Sequence, residues 1–154
     1  MIELSNQKFV YTTYIRTNPD RLWQALTSSE DTEQYFFNSK VQSTWQVGEN
    51  VTFFRDSKLD VTGELLELEH CKKLSYTWTS PEDPTLRNEP TVVTFQIKEL
   101  EETVKLTLIH SNLVESDIVE DSDTFWGLNN GWPAILSNLK SYLESGNTLK
   151  AIQA

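Results

Sequence analysis

Phe125-Trp126-Gly127-Leu128-Asn129-Asn130-Gly131-Trp132-Pro133-Ala134-Ile135-Leu136-Ser137-Asn138-Leu139-Lys140-Ser141-Tyr142-Leu143 is the stretch that decides the fold. Phe125, Leu128, Trp132, Ile135, Leu136, Leu139 and Leu143 recur at steps of three and four, which places them on one face of a helix of about five turns. Such a stripe must be buried against another element. Pro133 has no amide hydrogen, so a kink or restart is expected around Asn129 to Trp132. Gly146, after Glu144 and Ser145, ends the helix. Glu115, Asp117, Glu120, Asp121 and Asp123 precede it with no base among them, a charge favoured at a helix N-terminus.

Upstream, the period of the sequence shortens to two. Lys73 to Thr79 sets Leu74, Tyr76 and Trp78 on one face; Val93, Phe95 and Ile97 share a face in the next strand, and Val104, Leu106, Leu108 and His110 in the last. Val41 to Trp45, Val51 to Arg55 and Asp60 to Glu69 are further strands. In the longest, the parity of Val61, Gly63 and Leu65 is broken by Leu66 and Leu68, which predicts a bulge near Leu65-Leu66. At the start of the chain, Lys8 to Thr17 alternates through Phe9, Tyr11, Thr13 and Ile15. Asn18-Pro19-Asp20 then opens a short helix with Leu22, Trp23 and Leu26 inward, and Ser29 caps a second. The order is strand, two short helices, six strands, long helix. Consecutive strands with short connections make an antiparallel sheet, and the helix buries its stripe on the concave face of that sheet: an α+β fold.

The 154 residues form one domain, 1–154, large enough to need no disulfide or metal staple. Thirteen basic and 23 acidic side chains give a formal charge of -10, with no Lys/Arg cluster, so nucleic acid and anionic membrane surfaces are excluded as partners. Neither a membrane-spanning run nor a signal peptide is read, and Cys71 is the sole cysteine, so a cytoplasmic location is expected.

The search for chemistry starts from two histidines. His70 lies in the charged turn Glu69-His70-Cys71-Lys72-Lys73, where it reads as a solvated side chain beside an unreactive thiol. His110 lies on an inward strand face, where it either bonds to backbone or hydroxyl groups or contacts a bound ligand. No metal site, phosphate loop, cofactor or catalytic residue is assigned. The aromatics are the remaining signal, 11% of the chain against 38% hydrophobic residues overall. Tyr76, Trp78, Phe95, Leu106, Leu108, His110, Trp126, Trp132 and Leu136 are set inward, as core packing or as the wall of a ligand pocket.

Several segments match one family in order. They are Tyr14 to Thr27, Trp45-Gln46-Val47-Gly48, Gly63-Glu64-Leu65-Leu66-Glu67, Leu74-Ser75-Tyr76-Thr77-Trp78, Val93-Thr94-Phe95, Leu106 to Ser111 and Gly131 to Glu144. The chain resembles the family named after the C-terminal domain of the activator of Hsp90 ATPase, within the START and birch-pollen-allergen-like superfamily. This resemblance implies a helix-grip fold: a seven-stranded antiparallel curved sheet around a long C-terminal helix, with two short helices after the first strand. It also implies a cytosolic binder of a small hydrophobic or aromatic molecule, a lipid, polyketide or flavonoid-like compound, in a cavity between sheet and helix, with a stress response as one setting. Two alternatives stand beside it: a chaperone-associated interaction protein, and a polyketide cyclase-like enzyme. The co-chaperone of the family name engages its chaperone through a separate N-terminal domain, for which these 154 residues leave no room.

Overall fold

Asn18 starts the first helix as its residue type dictates: its side-chain oxygen accepts the Arg21 amide at 2.8 Å, and Pro19 fills the first helical position. The computed structural model describes residues 7–83, 85 and 87–152. Its elements in chain order are β1 (Gln7–Ile15), α1 (Pro19–Thr27), α2 (Ser29–Tyr35), β2 (Lys40–Ser43), β3 (Asn50–Arg55), β4 (Lys58–Glu69), β5 (Lys73–Trp78), β6 (Thr91–Leu100), β7 (Thr103–Leu113) and α3 (Leu128–Ser145). The strands form one antiparallel sheet in the order β1-β7-β6-β5-β4-β3-β2. This is the expected α+β architecture.

Local chemistry explains the sharp features. Asp56 and Ser57 both have positive φ, 52° and 64°, as a two-residue β3–β4 hairpin turn requires. The β4–β5 register slips between Leu65 and Glu67, the bulge that broke parity at Leu66. Gly63 lies at a close crossing of β4 and β5, where a Cβ would stand 1.8 Å from the Thr77 carbonyl oxygen. Glycine alone fits there.

Below the sheet, α1, α2 and α3 are tied by one buried carboxylate. Asp31, 5% exposed, accepts both Arg21 guanidinium nitrogens, at 3.1 and 3.0 Å, and the Tyr142 hydroxyl at 2.6 Å. Burial pushes its carboxyl up, but the hydrogen bonds from Arg21 and Tyr142 outweigh this and hold it below the usual range. Asn138, buried on α3, donates to the Tyr35 carbonyl and accepts from the Leu149 amide. The core lies between the sheet and these helices.

Three expectations need correction. The long helix begins at Leu128, so Phe125 and Trp126 lie outside it, 51% and 80% exposed. Helix α3 also runs unbroken through Pro133, which falls in its second turn. Finally, its first turn holds no acid, and the acidic run forms a separate segment: Glu115–Asp117 is a 3-10 turn, and the chain up to Gly127 is irregular. Asn129 and Asn130 explain that late start. The Asn129 side chain pairs with both the amide and the carbonyl of Val119, and Asn130 donates to the Asp121 and Trp126 carbonyls, binding the irregular segment to the helix start.

Candidate functional site

The inward rings of the strands meet α3 in a single packed cluster. Tyr76, Phe95, Leu106, Leu108, His110, Trp132 and Leu136 are brought together, each no more than 3% exposed. Phe36 and Phe53 join them. Trp132 lies against Phe36, Trp78, Phe95 and His110 at ring-centroid distances of 5.3 to 6.1 Å. The space between sheet and helix is thus occupied at its centre by the rings expected to line it. Trp78 is the half-buried member and stands at the edge of this cluster.

His110 is fully buried, and its hydrogen bonds fix its tautomer. Trp132 Nε1–H donates to Nδ1 at 2.9 Å, so Nδ1 carries no proton. Nε2–H therefore donates to Thr91 Oγ1 at 2.8 Å, and the Thr91 hydroxyl donates to the Trp78 carbonyl oxygen at 2.7 Å. Each donor in this relay has an acceptor. Of the two readings open for His110, the hydroxyl-bonded one is observed: both ring nitrogens are engaged. Thr91, one residue after Pro90, is the partner that sequence reading missed.

Burial pushes the His110 imidazole down to about 3, with Asp117 and Arg87 acting weakly in opposite directions. Above pH 6.5 the ring is neutral in both folded and unfolded chains. As pH falls through 6.5 the unfolded chain gains a proton that the folded one refuses until about pH 3. Stability therefore declines across that window, by up to about 1.4 kcal/mol per pH unit. Carboxylates held low by their partners, such as Asp31 and Asp117, lose their contribution only below about pH 5. Urea unfolding between about pH 7 and pH 5 should accordingly show a slope in the native chain that is flattened in His110→Gln. Parallel slopes would refute the assignment.

Beyond Trp78 the cluster opens onto a cleft of about 610 Å³. Trp78, His110, Trp126 and Leu128 supply its less polar lining, while Arg55, Asp60, Ser80, Glu82, Asp83, Arg87, Thr91 and Asp117 complete it. Trp126, expected in the interior, stands at this cleft with 80% of its surface exposed, because Gly127, at φ 85°, turns the chain before the helix begins. The two arginines are occupied by acids. Arg87 donates Nε to Asp83 at 2.9 Å and both terminal nitrogens to Asp117, which fastens the β5–β6 loop to the 3-10 turn after β7. Arg55 donates to Asp60 at 3.1 Å and lies over the Phe37 ring. Two arginines against four carboxylates leave the cleft negative.

A second groove of about 620 Å³ lies over β2 and β3, lined by Glu33, Asn38, Lys40, Gln42, Phe54, Asp56 and Ser57. A single ring among polar side chains gives it little stacking surface, so the cleft at Trp78 is the better candidate.

Away from the cleft, the structure joins residues that the sequence reading set aside. Cys71 Sγ donates to Asp20 Oδ1 at 3.2 Å, and His70 Nε2 stands 4.0 Å from the same oxygen.

A curved seven-stranded antiparallel sheet closed on a C-terminal helix defines a helix-grip protein. The family described as "Activator of Hsp90 ATPase homolog 1-like protein" matches residues 16–144, and the chain belongs to it. No curated protein matches the sequence. Among solved structures, protein MLL2253 from Mesorhizobium loti is 26% identical, with a TM-score of 0.70 over 89% of this chain and 96% of its own. The Aha1 dimer from Colwellia psychrerythraea is 21% identical, with a TM-score of 0.70 over 91% and 98%. PFC0360w, an HSP90 activator from Plasmodium falciparum, is 20% identical, with a TM-score of 0.68 over 88% and 95%. The likeness to the last two is one of fold. Among the described residues, no helix is long and apolar enough to cross a membrane.

Proposed function

We propose that the chain binds a small, flat hydrophobic or aromatic molecule, uncharged or cationic, in the cleft beside Trp78 and Trp126. The carrying observation is Trp126: a large apolar ring, 80% exposed, bordering a cleft of about 610 Å³ with a second indole in its wall. Exposing an indole forgoes the gain from its burial, and a stacked ligand recovers it. The cleft volume falls within the range of about 300–1,000 Å³ common for small-molecule sites. Net negative lining repels carboxylates and phosphates, which narrows the class: a fatty acid is disfavoured against an alcohol, amine or neutral polyphenol of similar size. Relative to a cavity between sheet and helix, the site moves to the end of the grip.

The test is a matched series of uncharged, cationic and anionic aromatic probes followed by tryptophan fluorescence. Uncharged and cationic members should bind, the anionic one more weakly, and Trp126→Ala should weaken binding roughly ten-fold, about 1.4 kcal/mol. Binding that is indifferent to Trp126 would remove the proposal.

A second reading, contact with a chaperone, is supported by the family description and by Ile118, Phe125 and Trp126, all exposed on the segment that borders the cleft. It requires association that weakens as salt rises, because the acidic segment would carry the attraction. An enzymatic reading of the cyclase kind has less support, since His110, its interior base, already uses both nitrogens.

A further inference from the structure

The turn between β4 and β5 carries two adjacent residues with metal-binding side chains, and the fold brings a third to meet them. His70 and Cys71 sit in that turn, closed by the Lys72 amide on the Glu69 carbonyl at 2.9 Å. Asp20 comes from the first turn of α1, fifty residues earlier in the sequence. One imidazole nitrogen, one sulfur and one carboxylate oxygen all lie within 4.8 Å of one another. The oxygen is 3.2 Å from sulfur and 4.0 Å from nitrogen. A tetrahedral zinc ion with bonds of about 2.0–2.3 Å sets its ligand atoms about 3.3–3.8 Å apart, so small side-chain rotations close the set.

We propose that Asp20, His70 and Cys71 form a binding site for a divalent transition-metal ion of the zinc type, with water as fourth ligand.

The donor set selects the ion. A thiolate and an imidazole beside one carboxylate suit zinc or cobalt, whereas calcium and magnesium demand oxygen cages. Charge also balances, because the carboxylate and the thiolate together offset two positive charges. On binding, the thiol proton that now points at Asp20 leaves to solvent and the sulfur–metal bond takes its place; no oxidation state changes. The imidazole is held by its neighbour: the Trp23 ring, 8% exposed in α1, meets His70 edge to face at a centroid distance of 5.4 Å. Since Asp20 and His70 are exposed, the ion can exchange freely with solution.

The reduced, metal-stripped full chain is titrated with cobalt(II), then with zinc in competition with a coloured chelator. One ion per chain is expected, with a thiolate-to-cobalt charge-transfer absorption that zinc abolishes. Cys71→Ser should lose that band, and His70→Ala and Asp20→Asn should each weaken binding roughly ten-fold or more. Far-ultraviolet circular dichroism checks that these variants remain folded; Asp20 and His70 at least are exposed, so folding is not at stake in theirs. No charge-transfer band at saturating cobalt, a stoichiometry other than one per chain, or affinity unmoved by the three substitutions would overturn the proposal.

Discussion

Trp132→Ala lowers the free energy of unfolding by about 3–5 kcal/mol, the cost of removing a large ring from a close-packed core. Trp132 is 2% exposed and touches four other rings, so no neighbour can relax fully into the space it leaves. A second loss adds to the first. Without the indole N–H, His110 Nδ1 becomes a buried acceptor with no partner, while its Nε2–H stays committed to Thr91. Trp132→Phe separates the two effects: it restores most of the volume but not the donor, and should cost about 1–3 kcal/mol. Urea unfolding of the three proteins measures both terms. A Trp132→Phe variant as stable as the native chain would show that the relay from Trp132 through His110 and Thr91 to the Trp78 carbonyl contributes nothing.

Gly63→Ala carries the other large effect, about 3 kcal/mol, at the upper end of overpacking costs. An added Cβ would meet backbone, the Thr77 carbonyl carbon at 2.6 Å and its oxygen at 1.8 Å, so a rotamer change cannot relieve the clash. Either β4 or β5 must move, and moving them breaks the Glu64 amide to Thr77 Oγ1 bond at 2.8 Å. The control is Gly48→Ala. There φ is 94° but nothing lies within 4 Å of the added carbon, so only the backbone preference is lost, about 1 kcal/mol. Equal losses in the two variants would mean that the sheet yields at Gly63 without cost. Trp78, at the cleft, is the last residue of β5 and directly follows Thr77, so displaced pairing would also reach the candidate site.

The fold was legible because its signals are local and periodic. Alternation set Leu74, Tyr76 and Trp78 against Ser75 and Thr77, and the Leu66 parity break located the bulge. The candidate site was less so, for identifiable reasons. Trp126 lies one residue before a glycine with positive φ, and the helical spacing that includes Phe125 extends past the true helix start by coincidence. His110 was seen as a buried polar ring needing a partner, but Thr91 and Trp132 reach it from β6 and α3, and no sequence spacing encodes contacts between separate elements. The same holds for Arg87 with Asp117, thirty residues apart, and for Asp20 with His70 and Cys71. Composition marked the rings as the feature to explain; tertiary packing divided them, with Trp132 in the sealed core and Trp126 at the open cleft.

That division is the central claim, and the five indole N–H resonances report it directly. In a titration with an uncharged flat aromatic probe followed by nitrogen-15 correlation spectra, the Trp78 and Trp126 indole signals should shift progressively. Those of Trp132, sealed and bonded to His110, and of Trp23, buried in α1 beside His70, should stay in place. Shifts at Trp132 and at the amides of Leu106 and Leu136, with Trp126 unmoved, would contradict the account and place the ligand between sheet and helix instead.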